Sequence, residues 1–405
     1  MMRILTFTSL FPNSLAPNYS IFLLQRIAHF ARRGNEVDVV SPVPYVPQVL
    51  SGMSKGHVAS LPAKETISGL NVYHPRYPLL PKISMPLHGF LMSLGCYRLV
   101  RKLHRQNPYD CIDAHYVFPD GVAAVLIGKA LGIPVTITAR GSDIHTFPQF
   151  ASIRPQIRWA LRNADGRAAV STSLAKIIDA LQPSTEGAKV IGNGVDTQRF
   201  FAEDRRSARS RLGLSQTEEI VVSVAALRHV KGSDMLLRAA ALLRKGGRGC
   251  RVLFVGAGPE LASLQRLARE LDCADLVSFP GAIDNEELRY YYSAADVSCI
   301  PSRNEGWPNV LLESIACGTP VVATKVGAAP GILTDTDLGI LVDPTPESIC
   351  NGLRRALDRT WNHDQLVAYA ATQTWEGVAA ATEDFLRNST QSKFSMVNRY
   401  AAAGL

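Results

Sequence analysis

Short runs of Val, Ile and Leu alternate along the whole chain with stretches of helical periodicity, and this alternation limits the fold more than any other feature. A strand that reads as a continuous apolar run is buried on both faces, which a helix-covered parallel sheet provides and a bundle or sandwich does not. The first series predicts strands over 3–8, 37–40, 111–114, 135–138 and 190–191, with helices over 20–33 and 121–131. Leu23, Leu24, Ile27, Ala28 and Ala31 recur at helical spacing in the first helix, and Gly34 stops it. A second series predicts strands over 220–225, 251–255, 276–279, 296–300 and 321–323. Each series describes one α/β domain.

At 405 residues the chain exceeds what one hydrophobic core organises, so the length also asks for two domains. Gly192, Asn193, Gly194, Val195 and Asp196 form a turn-rich junction between the series, because Gly and Asn tolerate positive φ. The boundary is placed there, giving domains over 1–192 and 193–374. With 46% apolar and 19% charged residues, the composition is globular rather than disordered or fibrous. The apolar stretch 4–11 meets Pro12, Asn13 and Pro17 and is too short for a signal peptide or a spanning helix. Seven scattered cysteines without a C-x-x-C pair read as reduced core residues of a cytoplasmic protein. The net charge of +8 is uneven: residues 1–192 hold 20 Lys/Arg against 10 Asp/Glu, and residues 193–405 hold 23 against 25. The first half is suited to an anionic partner, for which a phospholipid surface, a polyprenyl-phosphate acceptor and nucleic acid all qualify on charge.

The densest chemical signal runs from Asn304 to Pro320. Glu305, Gly306, Trp307, Pro308, Asn309 and Val310 lead into a helix that carries Glu313 and ends at Gly318. Pro308 suits the first turn of that helix, so the free amides around 308–310 point at the loop carrying Glu305, where an anion can rest. Glu305 and Glu313 then line one cleft, and ionised carboxylates accept hydrogen bonds from sugar and ribose hydroxyls. A helix cap plus a solvated glutamate is the bland account of the same two residues.

This segment resembles the Glu-x7-Glu signature of retaining GT-B glycosyltransferases of family 4, the glycosyl transferases of group 1. Phe11-Pro12, the stretch from Asp110 through His115 to Gly121, Thr138 to Asp143, Gly192 to Asp196, Lys231-Gly232 and Gly256-Ala257-Gly258-Pro259 also match, in order, over nearly the whole chain. The likeness is to enzymes that build teichuronic-acid-like and other surface polysaccharides. It implies a GT-B fold of two Rossmann-like domains facing an interdomain cleft. The acceptor-binding domain 1–192 would be completed by a last helix at about 375–390, and 193–374 would bind the donor.

By the same resemblance the donor is a nucleoside-diphosphate sugar, UDP- or GDP-linked, and the acceptor a glycan or lipid-linked hydroxyl, with no nucleic acid involved. Glu305 would hold the sugar hydroxyls, Glu313 the ribose, and the backbone of Gly306, Trp307, Pro308, Asn309 and Val310 the sugar and phosphates. Lys231 would face the diphosphate beside Gly256 and Gly258. No metal or other cofactor is implied, since a lysine and a helix N-terminus stabilise the departing nucleoside diphosphate. Each charge-assisted bond contributes about 1.5–3 kcal/mol. His115 ends a strand at the carboxyl edge of the first sheet and would serve catalysis with Glu305 and Lys231 by contacting the donor sugar. A buried, hydrogen-bonded structural histidine is the alternative.

The chain departs from the family pattern at three places. The arginine usual five residues before the lysine is Ala226 here; Arg228, on the same face of an extended segment, is its substitute or a solvent-facing charge. The usual His of a His-Gly-x-Asp loop is Arg140, and Pro17, Asn18, Tyr19 and Ser20 replace the usual Gly-Gly loop. Asn18, Tyr19, Arg140 and Asp143 are therefore assigned to the acceptor side. Arg140 suits an acidic or phosphorylated acceptor, and Asp143 is either an acceptor contact or a cap.

Two other motifs are set aside. Gly256-Ala257-Gly258 lacks the third glycine of a dinucleotide fingerprint, which is Leu261, and is read as letting backbone approach the donor. Asp335-Thr336-Asp337 spells the metal-binding pair of another glycosyltransferase architecture but lies in a turn-like setting, so it is read as a solvated loop. Residues 79–105 read as a basic amphipathic helix, with Leu87, Phe90, Leu91, Leu94, Val100 and Leu103 against Lys82, Arg98, Arg101, Lys102 and Arg105. It either docks on an anionic leaflet at the inner membrane face or is a surface helix with a solvated side. Fold alone leaves an isomerase or phosphorylase, or a nucleotide-sugar-binding protein without turnover, as alternatives to the transferase. No lysine context for pyridoxal phosphate is found, and the joint presence of His115, Lys231, Glu305 and Glu313 favours turnover.

Overall fold

The computed structural model describes residues 1–45, 60–79 and 84–402, with 392–402 as backbone alone; Lys82 lies outside the described residues. Contacts divide the chain into one unit of Met1–Asn193 with Trp375–Leu405 and a second of Gly194–Thr374.

The first unit is built on β1 (Arg3–Phe7), β2 (Glu36–Val40), β3 (Val43–Tyr45), β4 (Lys64–Ile67), β5 (Leu70–Tyr73), β6 (Arg76–Pro78), β7 (Cys111–His115), β8 (Val135–Ala139), β9 (Gly166–Ala169) and β10 (Lys189–Val190). Its main sheet runs β10-β9-β8-β7-β1-β2-β5-β4, with β3 and β6 forming a separate pair. Ile4, Leu5, Phe7, Ile112 and Ile137 are buried in the central strands, as a sheet covered on both faces requires. Register sets Thr6 beside Asp113 and His115 beside Thr138, so polar side chains meet where β1, β7 and β8 end.

The all-parallel expectation fails at one edge, where β4 pairs antiparallel with β5. Ser68 and Gly69 turn the chain with φ of 50° and 80°, and two consecutive positive-φ residues make the tight turn whose twist matches a hairpin. The basic helix expected over 79–105 also starts later. β6 ends at Pro78, a short turn covers Met85–Leu87, and the helix is His88–Gln106; Pro86 is accommodated in that turn rather than inside the helix. The last helix, Trp375–Ala402, belongs to the first unit, where it packs on the helix Ile21–Arg32. Glu383 pairs with Arg33 at 2.9 Å, and Ala379 and Leu386 join Met2, Ile4 and Phe30 in one core.

The second unit is a six-stranded parallel sheet in the order β13-β12-β11-β14-β15-β16. Its strands are β11 (Ile220–Val224), β12 (Arg251–Val255), β13 (Val277–Gly281), β14 (Val297–Ile300), β15 (Val321–Thr324) and β16 (Gly339–Val342). Alternate residues feed two cores: Val221, Val252 and Phe254 on one face, Val222, Leu253 and Val255 on the other. Each such side chain contributes about 1.5–3 kcal/mol on burial. From the adjacent strands β11 and β14 the chain proceeds outward in opposite directions, so the loops that follow them part at their carboxyl ends. That is the place where open α/β sheets seat ligands. The seven cysteines are free and buried. Among the described residues no helix is long and apolar enough to cross a membrane.

Candidate active site

The loops after β11 and β14 are locked together by backbone. Gly232, at φ 69°, follows the turn His229–Lys231, and a Cβ there would sit 2.0 Å from the carbonyl oxygen of Pro301. The amide of Arg303 donates to the carbonyl of Val230 at 2.8 Å, and its guanidinium reaches both carboxylate oxygens of Asp234 at 2.7 Å. These ties bring Lys231 Nζ to 2.5 Å from Glu305 Oε1, although the two residues are 74 positions apart. Ser302 Oγ donates to the same carboxylate oxygen at 2.8 Å. The Glu305 side chain is 10% exposed and that of Lys231 30%, so the pair stands at the rim of the protein rather than inside it.

The helix after Glu305 is Asn309–Ala316. Pro308 precedes it as its N-cap, with φ −80° and ψ 90°, instead of occupying the first turn as the sequence suggests. Glu313, the fifth residue, is half-buried and accepts a hydrogen bond from Tyr292 at 3.0 Å. Burial pushes its pKa up to about 7, against the opposing influences of the Tyr292 hydroxyl and Arg199. The expectation of a plainly ionised carboxylate at this position is thereby revised. Trp307 Nε1 is buried and finds no partner among the described residues. Asn309, Val310 and Gly306 lie along the same entry to the helix and are partly exposed.

Gly256 and Gly258 serve the chain itself. A Cβ at Gly256 would be 1.9 Å from the Ala225 carbonyl oxygen, and one at Gly258 2.3 Å from that of Leu227. The amide of Leu227 in turn donates to Ala257. The absence of side chains admits the neighbouring loop. Arg228 is exposed, and its guanidinium has no bond or ion pair among the described residues; Ala226 is exposed as well. Asp335 and Asp337 form the expected exposed turn, the amide of Asp337 donating to Asp335 Oδ1 at 2.9 Å.

In the first unit, His115 is the last residue of β7 and fully buried. Arg140, itself buried, donates from Nη2 to His115 Nδ1 at 2.9 Å and from Nη1 to Asn193 Oδ1 at 3.1 Å. A guanidinium has no lone pair to offer, so Nδ1 is the acceptor and the ring proton sits on Nε2. Nε2 lies 3.0 Å from Asp113 Oδ2, without the alignment of a hydrogen bond. Burial, with Arg140 and Arg26 adding to it and Asp113 opposing, lowers the His115 pKa to about 4, so the ring is neutral at ordinary pH.

Asp143 accepts from the backbone amides of Val117, Arg140 and Gly141 at 2.7–3.2 Å and is fully buried. These bonds fix the loop ahead of the Ser142–His145 helix, whose N-cap is Gly141 rather than Asp143. Asn18 and Tyr19 are exposed, so the four acceptor-side residues divide into two surface groups and two enclosed ones. Sequence reasoning missed Ser302, Tyr292, the Arg303–Asp234 clamp and Asp113. Ser302 was within reach, three residues before Glu305; Tyr292 and Asp234 meet their partners through the fold alone.

Comparison with known proteins places both units. Residues 204–373 match the model described as glycosyl transferases group 1, and residues 20–199 that described as glycosyltransferase family 4. A teichuronic acid biosynthesis glycosyltransferase of Bacillus subtilis is 26% identical over 375 residues, covering 90% of both chains. A D-inositol 3-phosphate glycosyltransferase of Catenulispora acidiphila is 30% identical over 378 residues, covering 85% of this chain and 86% of that one. Among solved structures, sucrose-phosphate synthase of Thermosynechococcus elongatus aligns with a TM-score of 0.73 at 22% identity, over 97% of this chain and all of the other. The Anabaena protein HepE in complex with UDP-glucose aligns with a TM-score of 0.64 at 20% identity, over 98% and 100%.

Proposed function

Because the chain belongs to the glycosyl transferases of group 1, family 4, and is a glycosyltransferase of GT-B fold, we propose that it moves a sugar from a UDP- or GDP-linked donor to a hydroxyl of a glycan or lipid-linked acceptor, retaining the anomeric configuration. The observation that carries this reading is the Lys231–Glu305 pair at the head of the Asn309–Ala316 helix. A diphosphate draws the ammonium of Lys231 to itself, and the released carboxylate of Glu305 accepts hydrogen bonds from the donor sugar. The amides of Asn309 and Val310 add the positive end of the helix to the phosphates, and Glu313 takes the ribose hydroxyls.

Protein charge then stands where a metal ion would otherwise neutralise the leaving group, and positioning supplies the rest of the rate. The leaving phosphate takes the acceptor's proton, so no enzymatic nucleophile is called for. The HepE complex with UDP-glucose supports a nucleotide-sugar donor, and the names of the Bacillus and Catenulispora relatives support an acceptor that carries negative charge. Polysaccharide assembly at the cytoplasmic face of a membrane fits that acceptor and the basic first half of the chain.

The test is consumption of a nucleotide sugar with the product anomer identified by proton NMR. Glu305→Ala lowers transfer by about a hundredfold or more, because a contact to the reacting sugar is removed, and EDTA leaves the wild-type rate unchanged. Full activity in Glu305→Ala, or an inverted product, would refute the assignment.

A further inference from the structure

Three helices of the first unit, His88–Gln106, Val122–Leu131 and Arg154–Asn163, contain no Asp or Glu. The first packs on the second and the second on the third, and Gln156 donates to the carbonyl of Pro86 at 2.7 Å, tying the starts of the outer two together. Arg98, Arg101, Lys102, Arg105, Arg158 and Arg162 are exposed on them, and among the described residues none of the six has an ion-pair partner. In the second unit several arginines have an acid beside them. There Arg211 pairs with Glu287, Arg248 with Glu219, Arg251 with Glu218 and Arg303 with Asp234. On the three packed helices the cations stand together with no acid among them.

The same face ends in apolar side chains. Leu87, Phe90 and Leu94 are 56%, 50% and 58% exposed, and Phe150, just before the third helix, is 46% exposed. Leu87, Phe90, Leu94, Arg98, Arg101 and Arg105 follow one another at steps of three or four, which is a single stripe along the first helix, apolar at its start and basic beyond. A phosphate polymer neutralises the bases but offers nothing to bury the leucines and phenylalanine. An acidic lipid surface does both, with headgroups for the arginines and acyl chains for the apolar end.

We propose that this acid-free face seats the protein on an anionic bilayer, the start of the His88–Gln106 helix entering deepest. The inference deepens the reading of a membrane-side, lipid-linked acceptor and rests on it for its purpose, though not for its test.

Co-sedimentation with vesicles of phosphatidylcholine containing about a third phosphatidylglycerol, against phosphatidylcholine alone, reads the contact directly. Wild type sediments with the anionic vesicles. Replacing Arg98, Arg101, Lys102 and Arg105 together by Gln weakens partitioning about a hundredfold or more, each base adding roughly a fivefold preference. Phe90→Ser with Leu94→Ser weakens it at unchanged charge. Stabilisation by nucleotide sugars, followed as a thermal shift, is unchanged in both variants. Equal sedimentation with neutral vesicles, wild-type binding by the Gln variant, or wild-type binding by the Ser variant would each overturn the proposal. Loss of the nucleotide-sugar shift in the wild type, with vesicle binding intact, would refute the donor reading and leave the docking face standing.

Discussion

A carboxyl whose pKa is lifted to about 7 changes charge across the physiological range, and Glu313 is such a group. The fold favours its protonated form, so the associated stability is full below the free-chain value of 4.5 and is lost as pH rises through about 7. Melting temperatures recorded from about pH 5 to 8 should therefore fall less steeply in Glu313→Gln than in the wild type. Ribose hydroxyls favour the ionised form, so nucleotide affinity rises with pH over the same window and Glu313→Gln removes that rise; a pH-independent wild-type affinity would contradict the ribose assignment. At His115 the sign is opposite. Arg140 helps to hold the ring neutral, so in Arg140→Gln its pKa moves up from about 4 toward the ordinary value of 6.5, which NMR of the imidazole can follow. Glu305, Lys231 and Glu313 stand out in the sequence because they sit in local motifs, and the fold sets the first two side by side. The tautomer of His115 does not, because it depends on a buried neighbour, Arg140, that only the folded sheet supplies.

Elements repeat the lesson at larger size. The central strands were readable since a strand buried on both faces writes itself as an apolar run, whereas β4, half-exposed and polar, carries no such run and its antiparallel pairing was missed. The helix Asn309–Ala316 was readable to within two residues, and Pro308 was misplaced because a cap and a first turn suit proline almost equally. Gly256 and Gly258 were identified as tight places, but the sequence does not say what approaches them. Gly232 offers the sharpest element-scale test. It holds a positive φ and has no room for a Cβ against Pro301, so Gly232→Ala should destabilise the second unit by on the order of 3 kcal/mol or more in urea denaturation. Gly34 has positive φ but open space around it, and Gly34→Ala should cost about 1 kcal/mol. Equal losses at the two sites would deny the loop-to-loop contact that sets Lys231 beside Glu305.

Over the whole molecule, two α/β units built on parallel sheets divide the chemistry as they divide the charge. The second unit keeps Lys231 and Glu305 in a partly exposed pair at the carboxyl ends of β11 and β14. The first unit keeps His115, Arg26 and Arg140 buried and carries exposed cations on acid-free helices. The unevenness of charge was visible in the sequence, but its confinement to three acid-free helices emerged from their packing. We propose that protein charge, with Lys231 foremost, holds the donor diphosphate without a cation. It is tested most directly by calorimetric titration of UDP- and GDP-sugars in excess EDTA, wild type beside Lys231→Ala. Binding by the wild type, weakened about tenfold to a hundredfold in the variant, is the predicted result for one lost charge-assisted contact. Binding that appears only when magnesium is restored, or that is equal in the two proteins, would contradict it.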